Sequence, residues 1–172
     1  MNLEQISSAT LSNLQMLLDQ QKLPLAVGPI TDSDYQAMTT AFADLNWDFA
    51  FSHFGNSPQK FEFSVKLIEA TSPLPAGAAM CTYDIEENSF HIQFVESFVR
   101  GVRTHPLHGN MLIITMLAAY LFCSAVECDN VYVIEPMNAE VMKLYSTFGF
   151  SGNDTLMTAS IAQIREAVLR YT

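Results

Sequence analysis

The sequence predicts a single-domain α/β fold built on a mixed sheet, and three observations carry that prediction. Segments with strand-like alternation and segments with helical spacing follow one another along the whole chain. The short run VYVIE (131–135) is β-branched and almost wholly apolar, as in a strand buried on both faces and usually paired in parallel. At 172 residues, 49% of them hydrophobic, the chain is long enough for one substantial core.

The elements follow in order. Leu3, Ile6, Leu14, Leu17 and Leu18 recur at helical spacing over residues 3–20, and KLPLAVGPI (22–30) reads as a short strand. Thr31 is a helix N-cap with Asp32 and Asp34 in the first turn, where carboxylates meet the positive end of the dipole. Tyr35, Met38, Phe42 and Leu45 continue that helix by spacing. The aromatic-rich NWDFAFSHFGNSPQK (46–60) is a loop or broken helix. FEFSVKLIEA (61–70) alternates as a strand, and TSPLPAG (71–77) is a loop. AAMCTYDI (78–85) and SFHIQFVESFV (89–99) form a hairpin around the acidic turn EEN. Gly109 to Val126 is an uncharged helix. After VYVIE, Asn138 caps a helix carrying Val141, Leu144, Tyr145 and Phe148 on one face, and Gly149 stops it. A further strand precedes a last helix, Ser160 to Tyr171, opened by a Ser160/Gln163 capping box with Ile161, Ile164, Val168 and Leu169 as its apolar face.

Composition removes several classes of function. A net charge of −10 repels phosphates, so nucleic acid is not an expected partner, whereas cationic amines suit such a surface. The uncharged helix approaches the length of a membrane span, but it contains Asn110, Thr115, Tyr120 and Ser124, so it reads as a buried core helix and not as a membrane anchor. Its outer side needs cover, from the last helix or from a second copy of the chain as a homodimer. Three cysteines, Cys81, Cys123 and Cys128, lie in apolar segments, as buried free thiols of a reducing compartment do. With no export signal in MNLEQISSATL, a cytoplasmic location is expected. His105 and His108 straddle Pro106 without a third ligand, so no metal site is expected. No G-x-S-x-G, Walker A or G-x-G-x-x-G motif occurs.

Two local features point to chemistry. In VRGVRTHPLHGNML (99–112), Arg100, Arg103, His105 and His108 gather just before Gly109 and the long helix. Positive side chains at a helix N-terminus suit an anion. On the preceding strand, period two puts Phe90, Ile92, Phe94, Glu96 and Phe98 on one face. A carboxylate in an aromatic stripe is a credible general base for an amine; the alternative is a Glu96 paired with Arg100 or Arg103.

The order of strand FHIQFVESFV, basic loop, glycine, long helix, VYVIE and NAEVMKLYSTFGF resembles the GNAT superfamily of acyl-CoA-dependent N-acyltransferases over roughly Ala76 to Phe150. The resemblance implies a mostly antiparallel, twisted sheet with a parallel central strand pair flanked by helices. Residues 1–75 would form the acceptor-side half, 76–150 the acyl-CoA-binding core, and 151–172 the closing strand and helix. The implied co-substrate is acetyl-CoA, its acetyl group passing directly to an amine of a small molecule or peptide. In the family a Q/R-x-x-G-x-G/A loop holds the pyrophosphate. Gly109 falls on its last glycine, Thr104 on the Q/R position and Leu107 on the first glycine, while Pro106 lacks an N–H. Arg103, His108 and Asn110 would supply further contacts. Backbone groups of Ser97, Phe98 and Val99 would hold pantetheine, with Asn138 nearby. Tyr145 matches the family's general acid, and Glu96 lies on the strand that often supplies the base. Trp47, Phe49, Phe51, His53 and Phe54 would wall the acceptor side. The departures at Thr104, Pro106 and Leu107 leave a second reading, a GNAT-like binding or regulatory protein without catalysis.

Overall fold

A computed structural model describes residues 2–39, 43–72 and 74–170. Phe42, Pro73 and Tyr171, which the sequence pattern assigns to a helix, a loop and the last helix, lie outside the described residues. The chain runs α1 (Leu3–Gln20), β1 (Ala26–Gly28), α2 (Asp32–Met38), α3 (Trp47–His53), β2 (Lys60–Ile68), β3 (Gly77–Asp84), β4 (Ser89–Ser97), α4 (Met111–Val126), β5 (Asn130–Ile134), α5 (Ala139–Ser146), β6 (Ser151–Gly152), β7 (Leu156–Ser160) and α6 (Ile161–Leu169). The strands form one seven-stranded sheet in the order β1-β2-β3-β4-β5-β7-β6. Every neighbouring pair is antiparallel except the central β4–β5 pair, which is parallel. The mixed sheet with a parallel central pair is therefore present. The aromatic segment resolves into a short helix, α3, capped by the Asn46 side chain on the Phe49 N–H.

One face of the sheet carries α1, α4 and α6. Helix α4 is apolar all round and is covered along most of its length, with Ser124 and Ala125 exposed near its C-terminal end. Ile114, Met116 and Phe122 are buried in the main core, and α1 and α6 pack along the helix. The cover that the sequence requires thus comes from the chain itself. No helix among the described residues is long and apolar enough to cross a membrane. Glu127 ends α4 with φ +56° and the Cys128 N–H returns to the Cys123 carbonyl, a left-handed stop without glycine. At the end of α5, Gly149 has φ +95°, and a side chain there would collide with Gln163.

The opposite face carries α2 and α3 over a smaller cluster of Tyr35, Met38, Trp47, Ala78 and Met80. The stripe expected on β4 does not survive intact. The β3–β4 register runs Cys81↔Ile92 and then Met80↔Phe94, so Gln93 is an extra residue, a β-bulge. One inserted residue reverses the alternation. Phe90 and Ile92 face α4, whereas Phe94 and Phe98 pack with the α2–α3 cluster.

The second face is tied down at Asp34. Thr31 and Asp34 form a reciprocal capping box, and the Asp34 carboxylate also takes the Lys66 ammonium from β2. Burial pushes the Asp34 carboxyl up, but Lys66 and the Thr31 donors outweigh it and hold the group below its ordinary value of 3.8. The stabilisation this carries is complete above that ordinary value of 3.8 and is lost as pH falls through the lower folded value. Asp34→Asn is expected to lower unfolding free energy by about 1–3 kcal/mol near neutrality, with the difference from wild type shrinking in acid. Urea denaturation at a series of pH values measures this; a constant difference across the acid range would contradict it.

Candidate active site

The functional cavity arises where the sheet comes apart. Strands β4 and β5 pair only over Phe90–Ile92 and Val131–Val133. Beyond that point β4 follows β3 through the bulge, and β5 stays with β7. The Glu135 N–H bonds the Thr155 carbonyl, and Glu135 has φ +49°, uncommon for a residue with a side chain. The gap opens into a cavity of about 740 Å³. Ile92, Val95, Ser97, Met111, Leu112 and Val133 line it on the α4 face. Leu45, Phe49, Phe54, Phe94 and Glu96 line it on the α2–α3 face. The cavity therefore crosses the sheet, and two reactants could enter from opposite sides.

The main chain facing the gap is set by strand alternation. The Phe98 N–H bonds the Ala76 carbonyl on the β3 side, so the groups of Val95 and Ser97 face β5's departing side. This corrects the expectation for Phe98, whose N–H is already used; Phe98 and Val99 pack in the two cores rather than lining the cavity. Ser97 lines the cavity, and its hydroxyl is buried without a hydrogen-bond partner among the described residues. A buried orphan of this kind marks a place where a polar ligand fits.

The loop before α4 differs from its sequence reading in detail. Leu107 does not obstruct the loop mouth: its side chain is 0% exposed and sits against Gly77, where any side chain would strike Leu107 and Met111. Leu107 anchors the loop to the sheet. His105 is an anchor too, accepting the Leu107 N–H at Nδ1, with Glu69 Oε1 2.9 Å from Nε2. Arg100 pairs with Asp44 at the cavity wall. The loop N–H groups of His108 and Asn110 turn back to His105 and Leu107. Asn110 donates its side-chain amide to the Pro106 carbonyl and provides no cap for α4. The first α4 bond runs from the Ile114 N–H to Asn110, so the N–H groups ahead of it emerge from the helix end. His108 and Gly109, with φ +75°, line the cavity there; Arg103 and Thr104 are exposed and outside its wall.

Tyr145 enters from α5 and lines the cavity while remaining only 3% exposed. Its ring packs edge-on against Phe150, and burial raises its hydroxyl above the ordinary 10.0, so it stays protonated. Asn138 is an exposed helix cap on the Val141 N–H and does not line the cavity. Cys81 is fully buried and lies outside the cavity wall, with its thiol pushed up by burial, so it is no nucleophile for this site. Among the described residues no cluster of metal-ligating side chains occurs.

Glu96 is in the wall as expected, but its oxygens are already engaged. Oε2 accepts the Asp44 N–H, and Oε1 accepts the Leu45 N–H and the Trp47 indole N–H. Only 5% exposed, the carboxylate joins β4 to the entry of α3 rather than standing open to an amine. The ion pair with Arg100 or Arg103 considered from sequence is not formed; Arg100 has Asp44 instead. The sequence carried no signal for the bulge at Gln93 or the strained Glu135, both of which line the cavity.

No family model and no curated protein matches the chain. Solved structures do. The AtaT–AtaR complex bound to acetyl-CoA aligns with a TM-score of 0.58 at 16% identity, over 87% of this chain and 99% of that one. An uncharacterized protein from Bacillus halodurans aligns with a TM-score of 0.60 at 11% identity, over 86% and 89%. A proposed GNAT-family acetyltransferase from Desulfovibrio desulfuricans gives 0.54 at 12% identity, over 80% and 99%. The chain has the GNAT acetyltransferase fold.

Glu96→Ala is expected to lower unfolding free energy by about 3 kcal/mol or more, because three N–H donors lose their acceptor, and Glu96→Gln by less. Trp47, the chain's only tryptophan, reports the loss as altered fluorescence. Unchanged stability and emission in Glu96→Ala would contradict the clamp.

Proposed function

We propose that the protein is an N-acetyltransferase, moving an acetyl group from acetyl-CoA directly to an amine. The cavity that crosses the sheet beside the buried Tyr145 hydroxyl carries this reading. Acetyl-CoA complexes exist for a structural neighbour, AtaT. The nucleotide end would lie at the N-terminus of α4, where Gly109 and the emerging N–H groups face an anion and His108 adds a donor. Main-chain groups of Val95 and Ser97, with the Ser97 hydroxyl, would hold the pantetheine arm. Arg103 and Asn110 lie close enough in sequence to assist at the phosphates, and Thr104 and Asn138 would act at most from outside the wall.

The amine attacks the thioester carbonyl, the C–S bond breaks, and Tyr145 gives its hydroxyl proton to the departing sulfur. The ammonium proton of the product leaves to water, and Tyr145 is reprotonated from solvent. A free thiolate is costly in a site closed off from water, which favours proton transfer to the departing sulfur. Glu96 acts by position, fixing the Asp44–Trp47 segment that walls the acceptor side, and not as the base expected from sequence.

A role in binding without catalysis is favoured by one observation: Arg100 and His105 are committed within the protein and leave few free cations for phosphates. Melting temperature measured with acetyl-CoA, together with steady-state transfer to an amine panel, separates the two. A GNAT-like protein that has lost or altered CoA binding would show little or no rise in melting temperature with acetyl-CoA and acetylate nothing. The acetyltransferase reading predicts both signals, with Tyr145→Phe lowering kcat by about 100-fold or more and leaving acetyl-CoA affinity unchanged. Equal loss of turnover and binding would remove Tyr145 from the chemistry. Because the Tyr145 hydroxyl is raised above 10.0, kcat is expected to show no alkaline decline below pH 10.

A further inference from the structure

The wall of the cavity also bears on the acceptor, and we infer that the acceptor is a monoamine with one bulky apolar group. This inference rests on the acetyltransferase reading for what happens to the amine, but not for its binding. The acceptor-side wall is mainly hydrocarbon, from Leu45, Phe49, Phe54 and Phe94, while the polar lining residues Asn46, Gln93, Glu96 and Arg100 each already have a partner within the protein. The rings form a connected set, Phe49 against Phe54 at 5.9 Å, Phe54 against Phe94 at 6.3 Å, and Phe94 against Trp47 at 5.4 Å. Such a wall favours an aryl or branched alkyl body and offers hydroxyl-rich or polycationic molecules little.

Charge limits the number of cationic centres. Two carboxylates line the cavity among the described residues, Glu96 and Glu135. Glu96 is 5% exposed and takes three N–H donors from the Asp44–Trp47 segment, which commits it to holding that wall. Glu135 is exposed at the rim, with no side-chain hydrogen bond or ion pair among the described residues. Its positive φ, just before Pro136, costs backbone energy and keeps this carboxylate at the end of β5, beside the gap. Of the cationic side chains in the wall, Arg100 is occupied by Asp44. One free carboxylate beside an apolar wall fits one ammonium group. A polyamine would find one unpaired carboxylate in the cavity lining for its several charges.

A free monoamine and the N-terminus of a peptide opening with a large apolar residue share this chemistry. Binding of 2-phenylethylamine, of a tripeptide beginning with phenylalanine, and of spermidine is measured by calorimetry on the full chain without acetyl-CoA. At least one of the two aromatic amines is expected to bind saturably and tighter than spermidine, and the stronger of the two names the source. Glu135→Gln is expected to weaken that binding about 10-fold, and Phe49→Ala, at a half-exposed position that should not threaten folding, by several-fold. Tighter spermidine binding, no binding of either aromatic amine, or unchanged affinity in Glu135→Gln would overturn the inference. Intact amine binding with no acetyl-CoA binding would instead overturn the acetyltransferase reading and leave this one standing.

Discussion

The site depends on an unequal competition for hydrogen bonds at the centre of the sheet. Strand β4 is held by β3 along its whole length, and β5 is held by β7 through all five of its residues. Between β4 and β5 only three residue pairs form. Each strand keeps its outer partner, so past Ile92 the two diverge and leave main-chain groups unpaired. Backbone polar groups facing a gap lined by apolar side chains are costly unless something meets them. The buried, unpartnered Ser97 hydroxyl is the local sign of that cost. The bulge at Gln93 contributes directly, because it turns Val95 and Ser97 toward the α4 side and Glu96 toward α3.

Much of the remaining polar structure keeps this opening in shape. Glu96 fastens the Asp44–Trp47 segment to β4, and Arg100 fastens Asp44 from the other side of the same wall. Leu107, packed against Gly77, seats the loop below the N-terminus of α4. His105 holds the Leu107 N–H and faces Glu69. Residues that look like free charge in the sequence are thus mostly fasteners. What they hold is a helix end whose N–H groups point outward and a cavity with Tyr145 in its wall.

The elements were legible where a local rule determines them. Thr31, Asn138 and Ser160 each cap a helix as their sequence positions predict, and Gly149 stops α5 with the positive φ that a stop requires. The apolar run before Val126 did specify a helix enclosed by neighbours. Tyr145 was legible as well, because one motif placed it. Glu96 was legible as a buried carboxylate but not in its role. Its partners Asp44, Leu45 and Trp47 lie some fifty positions away, and the nearest charge in sequence, Arg100, turned out to serve Asp44. The face of Phe94 was misjudged because a bulge leaves no mark in an alternating pattern. Glu135 could not be found at all, since left-handed backbone at a non-glycine is imposed by tertiary structure.

What fills the gap between β4 and β5 decides the chemistry of this protein. A crystal structure of the protein grown with acetyl-CoA tests it most directly. The prediction is a pantetheine arm hydrogen-bonded to the main chain of Val95 and Ser97, phosphates at the N-terminus of α4, and the thioester facing Tyr145. Acetyl-CoA bound elsewhere, or a complex with β4 and β5 closed onto each other, would contradict it.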